Sequence, residues 1–384
     1  MLVLSIGTFC IFLAMLSLIP LLPVISYELG ISKSNLGWVA AVFMIFMAFM
    51  QVPCGMVSDR FGRRPLVFCG IFIFAAGVLL LSFSSSFVSL LVARAISGSG
   101  AAIFFQTSVT MVGDIYSFRE RGKGMGIIAA ATGLGTVCGY SAGGLLGEYY
   151  GWRWVFLLLA LFSFLVALIS LLLYETRPIA SEKHCARKLL NLSFDLFRTR
   201  TIVFATIICM LCNMAAIGAS YVLPFFALDS SISTATTGLL FIPYAITSSL
   251  GASASGIVSD IVGRKLPLVI VTFVSGLALM ALSHVPGTAL VITVVFALVG
   301  LCFGPVITLT STILADEVVG TDSRILGTTM GTFNMIRWSG GALGPVLGGI
   351  LLDIYGAGVS FAVMSLLILI SAVFSVGIRE SQGR

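Results

Sequence analysis

The sequence predicts an all-α integral membrane protein of twelve transmembrane helices, built as two six-helix bundles related by a pseudo-two-fold axis. Three observations carry this. The 384 residues are 59% hydrophobic and only 9% charged, with mean hydropathy +1.13, whereas a soluble domain carries roughly 25% charged residues. Apolar runs of the length that crosses a bilayer, about 20 residues, recur along the chain, and only helices or closed barrels satisfy their backbone in lipid. The second half also repeats the first.

In chain order, the first six spans are expected at 2–25, 36–57, 66–83, 88–112, 125–146 and 155–174. The second six are expected at 202–228, 237–258, 268–282, 289–314, 327–352 and 359–378. Residues 1–174 then form one bundle, 175–200 a linker and 201–384 the other bundle. Placing Arg60, Arg63 and Arg64 on the inside puts 17 of the 21 Lys and Arg there. Only Lys33 and Arg153 stay outside, and Arg94 and Arg337 fall within spans. The positive-inside rule then sets both termini in the cytoplasm of a cell or plasma membrane. The linker stretch Leu189–Phe197 reads either as an amphipathic helix on the membrane surface or as a solvated connection.

The net charge of +6 does not indicate nucleic acid, because the basic residues are scattered between apolar runs rather than gathered on one face. Seven of the eight cysteines lie in or beside spans, as small packing residues do. No metal set, cofactor motif or catalytic constellation is apparent; the two histidines, His184 and His284, lie in the linker and near a helix end. An enzyme is not expected. The N-terminus enters an apolar run at once, with no small-residue cleavage site ahead of a hydrophilic region.

The repeat is specific. Pro23, Glu28, Asp59 and Gly62 match Pro224, Asp229, Asp260 and Gly263 at an offset of 201. Asp114 matches Asp316 at 202, and Gly139, Gly143, Gly144, Glu148 and Tyr150 match Gly344, Gly348, Gly349, Asp353 and Tyr355 at 205. A drift of this size is what loop insertions produce in a duplicated six-span unit whose axis runs along the membrane normal.

Four motifs stand out. Gly55-x-x-x-Asp59-Arg60-x-Gly62-Arg63-Arg64 lies between spans two and three, with a faded copy from Gly256 to Lys265 that has Ile261 after its Asp260. Arg94-x-x-x-Gly98-x-Gly100 lies in span four. Span five holds Gly135-x-x-x-Gly139-Tyr140-x-x-Gly143-Gly144, and span eleven holds Gly340-x-x-x-Gly344-Pro345-x-x-Gly348-Gly349. With twelve spans and a central linker, these resemble the major facilitator superfamily, most closely its drug/proton antiporter group, over nearly the whole chain.

The resemblance implies a secondary transporter working by alternating access. In the family, the first motif locks the two halves on the cytoplasmic side. Here Gly55, Asp59, Arg60, Gly62, Arg63 and Arg64 would form that gate. Asp59 would meet the start of span eleven near Leu326 and Gly327, and group with Arg63 and Asp114. Plain positive-inside anchoring is the alternative, but anchoring needs neither the Asp nor the glycines. Arg94 takes the place of the family's proton-coupling residue, or else is a buried Arg bonded to backbone carbonyls across a helix interface. The span-five motif marks proton-exchanging exporters in the family, where Pro is expected at the position of Tyr140. Gly135, Gly139, Gly143, Gly340, Gly344 and Gly348 also suit a close-packing helix face, and Pro345 a bend.

Spans one, four, seven and ten line the family's cavity. Deep polar residues in and near them are Arg94, Gln106, Tyr140, Asn213, Tyr221, Tyr244, Asn334 and Arg337. No Asp or Glu falls at a predicted span centre, which favours neutral or anionic solutes over cations. The expected function is proton-coupled export of small amphipathic or metabolite-like solutes. The alternative is uptake of a metabolite such as a sugar or organic anion. The expected partners are that small molecule, protons and the lipid bilayer, with no cofactor, and a monomer is expected.

Overall fold

The structure is a computed structural model and describes residues 1–116, 120–176, 199–284, 287–319 and 326–378. Among these residues there are twelve α-helices and no strand. The first six are α1 (Leu2–Leu29), α2 (Lys33–Phe61), α3 (Arg63–Ser82), α4 (Phe87–Ile115), α5 (Arg121–Tyr150) and α6 (Trp152–Ser170). The second six are α7 (Arg200–Asp229), α8 (Thr234–Val262), α9 (Lys265–Ala281), α10 (Ala289–Val319), α11 (Leu326–Ile354) and α12 (Gly356–Val376). Eleven contain a stretch long and apolar enough to span a bilayer; α9, at 17 residues, is apolar but shorter. The possible surface helix at 189–197 lies outside the described residues.

The helices cluster into two compact units. One holds α1–α6 together with Ala227–Ile242, the end of α7 and the start of α8; the other holds the rest of α7 and α8 with α9–α12. In the first unit α3 packs along α4 and α6, and α1 along α5. In the second, α9 packs along α10 and α12, which repeats the arrangement of α3.

Glycine decides how closely these helices approach. On α5, a Cβ at Gly135 or Gly139 would stand 2.7 Å from the carbonyl oxygens of Phe9 and Leu13 on α1, and one at Gly143 would strike Ser17 O. On α11, a Cβ at Gly340 would stand 2.6 Å from Met210 O on α7, one at Gly344 would strike Met214 O, and one at Gly348 would lie 3.2 Å from Gly218 O. Phe9, Leu13 and Ser17 are offset by 201 from Met210, Met214 and Gly218. The sequence repeat is therefore also a repeat of packing. Small residues permit this contact in lipid, where van der Waals packing and interhelical hydrogen bonds replace the hydrophobic drive.

The tight turns repeat too. After α1, Gly30 takes φ +62° and Ile31 N–H reaches back to Ser26 O at 3.1 Å. After α7, Ser231 takes φ +59° and Ile232 N–H reaches Ala227 O at 2.9 Å. Both are left-handed helix stops, a conformation that suits Gly better than Ser.

Candidate functional site

The residues of the first motif gather where α2 ends and α3 begins. Gly55, Asp59 and Arg60 lie in the last turns of α2, but their side chains are outside the described residues, as are those of Leu326 and Gly327. Gly62 breaks the helix with φ +96°. The chain then enters α3 with its first backbone N–H groups unpaired by the helix itself. Glu175, just beyond α6, fills that need: its carboxylate accepts from Arg63 N at 2.7 Å and Arg64 N at 3.2 Å. An anion at a helix N-terminus also meets the positive end of the macrodipole. The Arg64 guanidinium donates to Leu171 O, which adds a second tie to the end of α6. Arg63 is buried and its Nε lies 3.2 Å from Asp114 Oδ2 on α4; Thr176 Oγ1 donates to the same oxygen at 3.3 Å. The start of α3, the end of α4 and the segment after α6 thus meet through Arg63, Asp114 and Glu175.

The faded copy repeats the ion pair. Arg264, offset by 201 from Arg63, has Nε 3.2 Å from Asp316 Oδ2 and Nη1 2.8 Å from Asp260 Oδ1. Burial works against its charge, but the hydrogen bonds and charges of Asp260 and Asp316 outweigh it and hold the pKa above the ordinary guanidinium value. The counterpart of Glu175 at offset 205, Glu380, lies outside the described residues. The described pair is more open: the Arg264 and Asp316 side chains are 21% and 37% exposed, against 5% and 17% for Arg63 and Asp114.

The two membrane-embedded arginines differ. Arg94 on α4 is buried; its Nε donates to Val39 O on α2 at 3.3 Å, and its guanidinium covers the Phe43 ring at 4.3 Å. Gly98 admits the α2 backbone one turn later, where a Cβ would stand 2.5 Å from Phe43 O. Arg337 on α11 is half-buried, its Nε donating to Asn334 Oδ1 at 3.3 Å and its guanidinium 4.7 Å from the Trp338 ring centre. Asn213 on α7 donates to Arg337 O at 2.8 Å. The fold therefore brings Asn213, Asn334 and Arg337 together.

Other candidates are placed differently. Tyr221 is fully buried beside Phe225, and Tyr244 sits between Phe296 and Phe303 of α10. Gln106 is half-buried on α4. Tyr140 is buried with its ring stacked on Phe241. Among the described residues no group of three or more His, Cys, Asp or Glu is arranged to hold a metal.

Two features escape a linear reading. Glu175 reads as a headgroup anchor after span six, yet it caps α3. Trp152 and Arg153 read as an aromatic belt, yet both bind Glu28 at the end of α1: Trp152 Nε1 donates at 2.5 Å, and Arg153 forms an ion pair. The usable signal is an acid or cation at a span end whose own helix has no use for it.

The model of the family described as Major Facilitator Superfamily matches residues 4–345. The chain belongs to the major facilitator superfamily. Members of this family are membrane transporters, and the eleven long apolar helices suit a multi-pass membrane protein. This superfamily member is 25% identical over 359 residues to an uncharacterized MFS-type transporter of Methanocaldococcus jannaschii, covering 92% of this chain and 91% of that protein. It is 30% identical over 164 residues to Multidrug resistance protein 1 of Bacillus subtilis, 43% of this chain and 42% of that protein. It is 28% identical over 177 residues to the riboflavin transporter RibZ of Clostridioides difficile, 45% of this chain and 36% of that protein. The chain thus matches less than half the length of these last two relatives. Its fold is similar to the crystal structure of a bacterial homologue of the human lysosomal transporter Spinster, with TM-score 0.84 at 18% identity, covering 100% of this chain and 98% of that one.

Proposed function

We propose that this transporter exports small amphipathic or metabolite-like solutes in exchange for protons, with both termini in the cytoplasm, and that its cargo is neutral or anionic. The observation that carries the cargo is Arg337. A cation within a span is expensive unless it faces water or a partner. Among the described residues no carboxylate pairs with Arg337; Asn334 orients it and Trp338 lies beneath it. A carboxylate or other acceptor group beside an aromatic surface suits this cluster. The acids of the described helices all lie near helix ends, which disfavours a cationic cargo. Export is supported by the similarity to a multidrug resistance protein and by the glycine motif of α5.

The gate residues Gly55, Asp59, Arg60, Gly62, Arg63, Arg64 and Asp114 would close the cytoplasmic side, with Glu175 holding the start of α3. Arg94 is assigned to coupling. Its cross-helix bond to Val39 O would then make and break as α2 and α4 move.

The test is reconstitution in liposomes with an imposed pH gradient, a panel of labelled anionic, neutral and cationic solutes, and internal pH recorded. Exchange of an anionic or neutral solute against protons is expected, with at least a tenfold loss in Arg337→Ala. Transport without proton movement would remove the exchange. Undiminished anion transport by Arg337→Ala would remove the cargo assignment. Asp59→Asn is expected to insert normally and transport poorly.

A further inference from the structure

The second half carries a group of polar side chains that the repeat does not copy. Asn213 on α7 and Asn334, Arg337 and Trp338 on α11 correspond to Phe12, Ala129, Thr132 and Gly133 in the first half. The glycine packing just beyond them is copied, with Gly340 against Met210 as Gly135 is against Phe9. Helix packing therefore does not call for these four residues, and their chemistry is left to explain them.

Hydrogen bonding fixes which end of each amide is spare. Asn213 meets the Arg337 carbonyl at 2.8 Å. A carbonyl oxygen only accepts, so Asn213 presents its amide NH2 there and keeps Oδ1 spare. Asn334 meets Arg337 Nε at 3.3 Å. A guanidinium only donates, so Asn334 uses its oxygen and keeps its NH2 spare. Asn213 Oδ1, Asn334 Nδ2, both Arg337 Nη atoms and Trp338 Nε1 make no hydrogen bond among the described residues. The unpartnered polar atom that is sealed away among those residues is Ser108 Oγ alone, so these five open on accessible space. Asn213 and Trp338 are nevertheless only 3% and 9% exposed. An unmet polar group in such surroundings costs about 1–3 kcal/mol, which a ligand that meets it recovers.

The spare groups are of two kinds, and they are set apart. The Arg337 Nη pair suits a carboxylate held by two parallel bonds. The Trp338 ring centre lies 4.7 Å from the guanidinium carbon and offers an aromatic face. The one spare acceptor, Asn213 Oδ1, lies further along α7. The Arg337 charge acts on Cys209, and Asn213 follows Cys209 by one helical turn, about 6 Å along the axis. A ligand that satisfies both ends needs an anion and, one turn away, a hydrogen-bond donor. A carboxylate and a para hydroxyl across a benzene ring stand about that far apart.

We propose that Arg337, Trp338 and Asn213 select an aromatic monocarboxylate with a hydroxyl or N–H donor at the far end of its ring. The carboxylate lies on the Arg337 Nη atoms, the ring beside Trp338, and the donor on Asn213 Oδ1. The proposal rests on Arg337 as the seat of an anionic cargo; it adds the shape of that cargo and the residue that reads it. A site that bonds a substrate hydroxyl discriminates strongly against the analogue without one.

The test is equilibrium binding, by calorimetry on the full-length protein in lipid nanodiscs, of para-hydroxybenzoate, ortho-hydroxybenzoate, para-methoxybenzoate and benzoate. The para-hydroxy acid is expected to bind at least tenfold tighter than benzoate. The ortho-hydroxy acid, with its donor at the wrong end, and the methoxy acid, with no donor, should stay within threefold of benzoate. Asn213→Leu, close in volume but without the acceptor, should bring the para-hydroxybenzoate preference below threefold. Asn213→Ala reads the same ratio should the leucine variant not fold. A preference below threefold in the parent protein would overturn the proposal. So would a preference shared by the ortho-hydroxy or methoxy acid, or one kept at tenfold by Asn213→Leu or Asn213→Ala. Arg337→Ala separates this proposal from the reading beneath it. Benzoate binding unchanged in that variant, or no acid bound by the parent, would sink the anionic cargo and this proposal together. A tenfold loss of benzoate binding in Arg337→Ala, with no gain from the para hydroxyl in the parent, would sink this proposal alone.

Discussion

Arg63 Nε sits 3.2 Å from Asp114 Oδ2, which ties the first turn of α3 to the last turn of α4. Arg264 and Asp316 repeat the pair at the same distance in the second half. The two pairs differ in burial, and burial sets the cost of losing one partner. Asp114→Asn, which removes the carboxylate beside the buried Arg63, is expected to cost about 3 kcal/mol. Asp316→Asn, in the more open copy, is expected to cost under about 1 kcal/mol. Thermal unfolding in detergent reads both. Equal shifts, or the reverse order, would count against burial as the deciding difference.

Glu175 and Gly62 form a second test. Glu175→Ala strands the Arg63 and Arg64 backbone donors and is expected to cost about 1–2 kcal/mol, in the range of a lost N-cap. Gly62→Ala is expected to cost more, because the residue sits at φ +96° and its Cβ would stand 2.6 Å from Glu175 Oε2. Combining the two changes removes the clash, so their melting shifts should sum to more than the shift of the double variant. Simple additivity would show that Gly62 serves the backbone turn alone.

Helix α5 contains its own control. Gly139 faces Leu13 O at a distance a Cβ cannot share, whereas Gly126 has nothing within 4 Å. Gly139→Ala should destabilise by a few kcal/mol, on the scale of overpacking a core. Gly126→Ala should stabilise by up to about 1 kcal/mol, the helix-propensity difference. The measurement is again the melting temperature, now of two single variants on one helix. A destabilising Gly126→Ala would mean that α5 needs flexibility there.

Ser231 is the described non-glycine residue with positive φ, at +59°, in the position that Gly30 holds in the first half. Ser231→Gly should relieve about 1 kcal/mol of left-handed strain. A raised melting temperature with unchanged helicity by circular dichroism is expected, and a fall would show that the serine side chain contributes more than its backbone strain costs.

Much of this protein is written locally. Apolar run length set the twelve helices, and the predicted spans 2–25 and 359–378 correspond to Leu2–Leu29 and Gly356–Val376. The repeat offsets of 201 to 205 match the way Gly139 of α5 packs against α1 and Gly344 of α11 packs against α7. The family signature from Gly55 to Arg64 was legible because it is contiguous. What the sequence left open was which partners the helix ends would find. Glu175 read as an anchor, Tyr140 as a departure from a motif, and Glu148 as one member of the repeat. Their roles depend on backbone donors of α3 and α8 and on a ring of α8, groups far away in the chain. Free N–H groups at a helix start have no sequence signature of their own, because every helix has them. Only tertiary packing decides which carboxylate reaches them, and so turned Glu175 into the cap of α3 and Glu148, whose Oε2 accepts from Ala235 N at 2.6 Å, into the partner of α8.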